Sequence, residues 1–187
     1  MNPQEQNELL DSLYRHEPVA QRRLLQEYGD MVYGLIQRMV GNPLDAEEVY
    51  QDVFLKALSR IDSYKPSKAS IDVWLCRIAY NTSLNHLRRM RRIHQVYALD
   101  EESLSDTAEM SEPDSADKET TELLAQALER LEPTDKTLIM MFYYDDMTFS
   151  EIAYVMGSNV STIGSRLFRI RKKLYGIVKR QKTDKVK

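Results

Sequence analysis

A break in the middle of the chain limits what it can fold into. Between Leu99 and Glu122 (L-D-E-E-S-L-S-D-T-A-E-M-S-E-P-D-S-A-D-K-E-T-T-E) stand ten acidic residues, one Lys and no aromatic side chain. Such a segment buries too little apolar surface to offset the entropy of ordering it, so it predicts a flexible acidic linker. The 187 residues then divide into a unit over 1–95, a linker over 96–118 and a second unit over 119–187. On either side apolar residues recur every three or four positions, and no alternating strand pattern is found. The expected fold class is therefore all-α, with two small helical domains.

Four helices are expected in the first unit: Glu5 to Tyr14, Val19 to Val40, one starting near Asp45, and Ser70 to Arg92. Gly41-Asn42-Pro43 stops the second. Asp45 followed by Glu48 predicts a capping box for the third. There Ala46, Val49, Val53 and Ala57 share one face, flanked by Tyr50 and Phe54, while Glu47, Glu48, Gln51, Asp52 and Leu55 lie opposite. The fourth helix is apolar on two sides: Ile71, Leu75 and Ile78 on one, Val73, Tyr80, Leu84 and Leu87 on the other. It should be packed from both. Between them Arg77, Asn81, Asn85, Arg88 and Arg92 form a polar stripe, and the helix ends L-R-R-M-R-R, which includes Arg89. Trp74 and Cys76 fit the apolar flanks and read as core.

The second unit also carries four helical stretches: Lys118 to Leu131, Thr134 to Tyr144, Thr148 to Met156, and Ser161 to Lys179. Asp145 and Asp146 read as a loop between helices. Thr148 and Glu151 form a capping box, Gly157 suits a left-handed exit, and Ser161 is placed to cap the next helix. In that last helix Ile163, Leu167, Ile170 and Leu174 form a narrow apolar stripe. Ser161, Thr162, Ser165, Arg166, Arg169, Lys172 and Lys173 stand outside it. Two helices across a tight turn, the second lined with hydroxyls and cations, match a helix-turn-helix that reads DNA. Arg near its start suits base edges, and Arg171, Lys172 and Lys173 suit phosphates.

Charge is distributed to match. The formal net charge is −3, yet residues 166–187 hold ten Lys/Arg and one Asp. The single cysteine excludes an intrachain disulfide and a zinc set, and His16, His86 and His94 form no ligand pattern. No metal or cofactor is expected. No phosphate loop or nucleophile–base pair occurs, so the chain does not read as an enzyme. The N-terminus M-N-P-Q-E-Q-N-E is not a signal peptide, and no run of about 18 apolar residues exists. A cytoplasmic protein without direct membrane insertion is expected.

Taken together, D-A-E-E-V-Y-Q-D-V-F-L-K-A-L, W-L-C-R-I-A-Y-N-T-S-L-N-H-L-R-R and S-E-I-A…S-R-L-F-R-I-R-K-K-L, in this order, resemble the extracytoplasmic-function (ECF) sigma factors of the sigma-70 superfamily. The likeness spans about Leu24 to Tyr175. It implies a transcription initiation factor that binds core RNA polymerase, directs it to promoters and helps melt the DNA. Glu48, Gln51, Asp52 and Leu55 would then face polymerase. Arg77, Asn81, Asn85, Arg88 and Arg89 would face the minus-ten element, with Lys65 to Ser70 placed as a base-capturing loop. The last helix would read the minus-thirty-five element. The resemblance also implies an anti-sigma factor as partner. Gly164 departs from the pattern, which often has Lys or another larger residue there. The acidic linker is rather long, and near the polymerase channels it would mimic nucleic acid. The alternative is a conventional helix-turn-helix regulator, which would have no use for the Asp45 to Leu58 string. An RNA-binding factor would want stacking aromatics on the basic faces, and these are absent.

Overall fold

The computed structural model describes residues 3–97 and 116–185. Among these residues there are eight α-helices and no strand: α1 Pro3–Tyr14, α2 Pro18–Val40, α3 Pro43–Ser59, α4 Ile71–Tyr97, α5 Ala116–Glu129, α6 Pro133–Tyr143, α7 Phe149–Met156 and α8 Val160–Lys185. A single 3-10 turn, Ile61–Ser63, follows α3. The all-α expectation holds. Most of the acidic linker lies outside the described residues.

Punctuation places the helix ends. Proline opens α2, α3 and α6, where its missing N–H is an orphan in any case. Gly41 ends α2 at φ 79°, its N–H donating to the Gln37 carbonyl at 3.0 Å. The expected capping box at Asp45 and Glu48 is not formed. Asn42 caps α3 instead, its side-chain oxygen accepting from the N–H groups of Leu44 (2.9 Å) and Asp45 (3.3 Å). Asn is as good a cap as Asp, and Pro43 after it starts the helix earlier.

In the second half the capping box of α7 is present. The Thr148 N–H donates to Glu151 Oε2 at 2.7 Å, and the Glu151 N–H donates to Thr148 Oγ1 at 3.3 Å. Gly157 leaves the helix in the left-handed region at φ 63°, ψ 40°. The cap of α8 also differs from expectation. Asn159 Oδ1 accepts from the Thr162 N–H at 2.8 Å, and Ser161 donates its hydroxyl to the same oxygen at 2.8 Å. Asn159 stands three residues before Thr162 and so meets the orphan N–H, while Ser161 already lies within the first turn.

Helices α2, α3 and α4 pack against one another, with α1 across α2. Leu24, Leu35, Ile36, Val53, Ile71 and Leu75 are fully enclosed there. In the second half α5, α6 and α7 pack against one side of α8. The two halves also meet: α7 packs on α4, and α6 on α2. This explains the two apolar sides of α4, one facing α2 and α3, the other α7. It also explains why α7 is apolar almost all round, being covered by α8 and α4. One continuous cluster of buried apolar residues runs from Leu9 to Leu174.

Candidate nucleic-acid interface

Helix α8 rests on Ile163, Leu167, Ile170 and Leu174, all buried as their spacing predicts. Ser161, Ser165, Arg169, Lys172 and Lys173 are exposed together on the other side, with Thr162 half-buried at the start. Arg166 is the exception in this set. It turns inward, its Nη2 donating to Asp135 Oδ1 at 2.6 Å and to Thr134 Oγ1 at 3.4 Å. Its guanidinium also interacts with the Tyr80 hydroxyl of α4, whose pKa burial nonetheless raises. Arg171 lies over the rings of Phe142 (5.7 Å) and Tyr143 (5.2 Å), so its charge is partly spent on aromatic faces.

Helix α4 presents Asn81, Asn85, Arg88 and Arg92 on one exposed face. Arg77 belongs to the same stripe but sits under α7. Its Nη1 donates to the Tyr154 carbonyl at 2.9 Å, and its guanidinium stacks 4.5 Å from the Tyr154 ring centre. Tyr154 lies in the last turn of α7, where carbonyls lack intrahelical partners and the helix dipole favours a cation. Asn81 donates to the Arg77 carbonyl at 2.8 Å. Arg89 leaves the stripe and donates to Glu48 Oε1 at 2.8 Å. That hydrogen bond, with the carboxylate charge, raises the pKa of the guanidinium further.

On α3 the side chains of Glu48, Gln51, Asp52 and Leu55 all face solvent. Leu55 is 67% exposed, a large apolar group in open water beside acidic neighbours. Asp52 pairs with Lys56 one turn on, at 3.3 Å. The loop from Lys65 to Ser70 is mostly exposed and is anchored by Tyr64, whose hydroxyl donates to the Ala69 carbonyl at 3.1 Å. Tyr64 in turn packs 5.2 Å from the Trp74 ring, so Trp74 is core. Cys76 is core as well. Burial pushes its thiol up to about 12, Asp72 and Asp145 adding to the rise and Arg38 opposing it.

Sequence reasoning missed Arg38 and Asp145. Arg38 donates to both carboxylate oxygens of Asp145, at 3.1 and 2.7 Å, across 107 residues of chain. Neither residue stands out in its own helix or loop, and a pair so far apart leaves no periodic trace. Among the described residues no group of three or more His, Cys, Asp or Glu side chains is placed to hold a metal. Nor is any helix there long and apolar enough to cross a membrane.

A helix-turn-helix with a free basic face, joined to a second helix striped with amides and arginines, defines a two-part DNA-contacting protein. Comparison with known proteins gives the family. Residues 24–93 match the model of sigma-70 region 2, and residues 121–174 match that of sigma-70 region 4. The RNA polymerase sigma-H factor of Pseudomonas aeruginosa is 30% identical over 185 residues, covering 91% of this chain and 93% of that protein. The ECF RNA polymerase sigma factor SigE of Mycolicibacterium smegmatis is 30% identical over 153 residues, 81% of this chain but 58% of that longer protein. The fold is that of the sigma factor RpoE of Bartonella quintana, solved in complex with the anti-sigma factor NepR. The TM-score is 0.65 at 21% identity, over 84% of this chain and 96% of that one. The chain belongs to the sigma-70 family, in its ECF group, and is a transcription initiation sigma factor. That family consists of transcription factors rather than enzymes.

Proposed function

We propose that three helix faces, exposed except at the inward-turned Arg77 and Arg166, divide the work of initiation. Glu48, Gln51, Asp52 and Leu55 on α3 dock on core RNA polymerase. Arg77, Asn81, Asn85, Arg88 and Arg89 on α4 capture the minus-ten element as it opens, amides meeting the edges of unstacked bases and arginines the phosphates. Ser161, Thr162, Ser165, Arg166, Arg169, Lys172 and Lys173 on α8 read the minus-thirty-five element. Residues 1–95 form the first domain, 119–187 the second, and 96–118 the acidic linker that lets both engage one promoter as a bivalent ligand. The protein supplies no catalysis of its own and works in the cytoplasm. An anti-sigma factor is its expected regulator, as NepR is the partner of the Bartonella relative.

The observation that carries this reading is the exposed amide–arginine stripe of α4 beside the solvent-facing acidic and leucine face of α3. A conventional regulator needs neither. Run-off transcription with bacterial core polymerase on sheared genomic DNA from the source organism tests it. Discrete new transcripts sharing a two-part upstream sequence are expected. Their absence, with specific duplex binding by the protein alone, would overturn it.

A further inference from the structure

The loop between the 3-10 turn and α4 is held by a buried side chain. Lys65, Pro66, Ser67, Lys68 and Ser70 are exposed there, and Ala69 is half-buried. The Lys68 N–H donates to the Lys65 carbonyl at 2.9 Å, which gives the loop its bend. One such bond fixes a turn and leaves the distance between the loop's two ends unset.

Tyr64 supplies that constraint. It stands at the loop's entry and is 5% exposed. Its hydroxyl donates to the Ala69 carbonyl at 3.1 Å, five residues on, so one side chain spans the loop from entry to exit. Its ring packs 5.2 Å from the ring of Trp74, whose N–H donates to the Ser70 carbonyl at 3.0 Å as α4 begins. Its own carbonyl accepts from the Tyr14 hydroxyl at the end of α1, at 3.3 Å. Helix α1, the 3-10 turn, the loop and α4 are thus tied at one residue. Burial pushes the Tyr64 hydroxyl up to about 12, so at neutral pH it carries the proton it donates. A phenylalanine ring would fill the same space against Trp74 and lack only this donor. Packing therefore accounts for the ring and not for the hydroxyl.

We propose that Tyr64 is a positioning residue for promoter melting: its hydroxyl clasps loop 65–70 into the shape that receives a base extruded from the minus-ten element. The proposal rests on the reading of this loop as the base-capturing one. Extruding a base is costly in itself. A loop that is already closed adds no further ordering entropy at that moment. Lys65 and Lys68 are then held where they meet phosphates flanking the base. Tyr64 is buried and acts only through the loop.

The test compares the full-length wild type with Tyr64→Phe, both checked by circular dichroism and melting temperature. Trypsin reads the clasp directly. It cuts after Lys68 and is blocked after Lys65 by Pro66, so the loop is reported by one peptide bond, next to the clasped carbonyl. Cleavage there, followed by mass spectrometry, should be about two- to tenfold faster in Tyr64→Phe, the equivalent of one lost hydrogen bond. Each protein, with bacterial core polymerase, is then given the promoter found by run-off transcription, with every minus-ten nucleotide in turn made abasic. Wild type should lose open complexes at the captured position. Tyr64→Phe should form about two- to tenfold fewer on intact DNA and coincide with wild type once that base is gone. A general weakening of the fold would persist on the abasic promoter.

A wild-type rate of cleavage after Lys68 in folded Tyr64→Phe would overturn the clasp. A Tyr64→Phe defect of equal size on intact and abasic DNA, or no defect on either, would overturn its role in capture. If no abasic position affects the wild type, the base-capture reading falls and that role with it, while the trypsin result still decides the clasp. Should Tyr64→Phe fail to fold, Tyr14→Phe, which removes the bond to the Tyr64 carbonyl, carries the same expectations.

Discussion

Helix α8 rests on one stripe of four buried residues and turns Ser165, Arg169, Lys172 and Lys173 to the outside. Helix α4 is buried along two sides, and its polar residues are squeezed into a narrow stripe whose first member, Arg77, is already engaged by α7. Both helices carry cations and hydrogen-bonding side chains suited to DNA. The number of packed sides decides how many are available. A helix packed on one side offers a broad surface ready for a rigid duplex groove. A helix packed on two sides offers a strip, suited to a few bases already out of the stack, and the second layer of packing can cover it.

The largest effects should come from the cores beneath these helices. Leu75→Ala under α4 and Leu167→Ala under α8 each remove a fully buried side chain, at a cost of about 2–5 kcal/mol in urea unfolding. Because the buried cluster is continuous across the halves, each should shift one shared unfolding transition. Two transitions, with each substitution moving only its own, would break the link between α4 and α7 on which the comparison depends.

Smaller effects should separate the two DNA-facing surfaces. Asn85→Ala and Arg88→Ala should each weaken capture of the melted strand by about 1–3 kcal/mol, read as lost open-complex formation at constant salt. Lys172→Ala with Lys173→Ala should leave sequence preference unchanged and flatten the salt dependence of DNA binding by roughly two units of slope, about 0.9 per phosphate contact. A salt slope that responds equally to the α4 and α8 substitutions would erase the distinction.

Alkaline pH should act on the first half. Tyr64 is raised from 10.0 to about 12, chiefly by burial, and Cys76 from 9.0 to about 12, again chiefly by burial. In both the protonated form is favoured by folding. Their contribution is fully present below the unfolded pKa values and is lost as pH rises toward 12. Stability should therefore fall from about pH 9 upward, and Cys76→Ala should remove the earlier part of that fall in a pH series of melting temperatures.

Helix positions and faces were legible because they follow from local periodicity and punctuation. The stripes of α3, α4 and α8, the Thr148–Glu151 box and the Gly157 exit all depend on residues within a few positions of one another. The two caps that differed, Asn42 and Asn159, differed by two or three residues, because more than one good capping side chain stood near each start. The acidic segment predicted a boundary between domains, but its composition could not reveal that α7 packs on α4. The engaged state of Arg77 was hidden for the same reason, and that of Arg166 because its partners Thr134 and Asp135 stand some thirty residues away on α6. Tyr154, Asp145 and Arg38 acquire their roles only when the halves meet, and contacts over such separations leave no local pattern to read.

Gly164 supplies the smallest and most pointed test. It lies within the first turns of α8, where glycine costs up to about 1 kcal/mol relative to alanine. A Cβ built there would meet only the Phe149 ring, at 3.7 Å, which is ordinary contact. Packing within the protein therefore gives no reason for the missing side chain. Gly164→Ala should raise the melting temperature slightly, by the equivalent of at most about 1 kcal/mol. If affinity for minus-thirty-five DNA falls while stability rises, the glycine makes room for the duplex, and the surface of α8 is tailored at a position with no side chain of its own. If affinity holds or improves, recognition rests on the exposed hydroxyls and cations alone, and the contrast with the half-covered stripe of α4 becomes sharper.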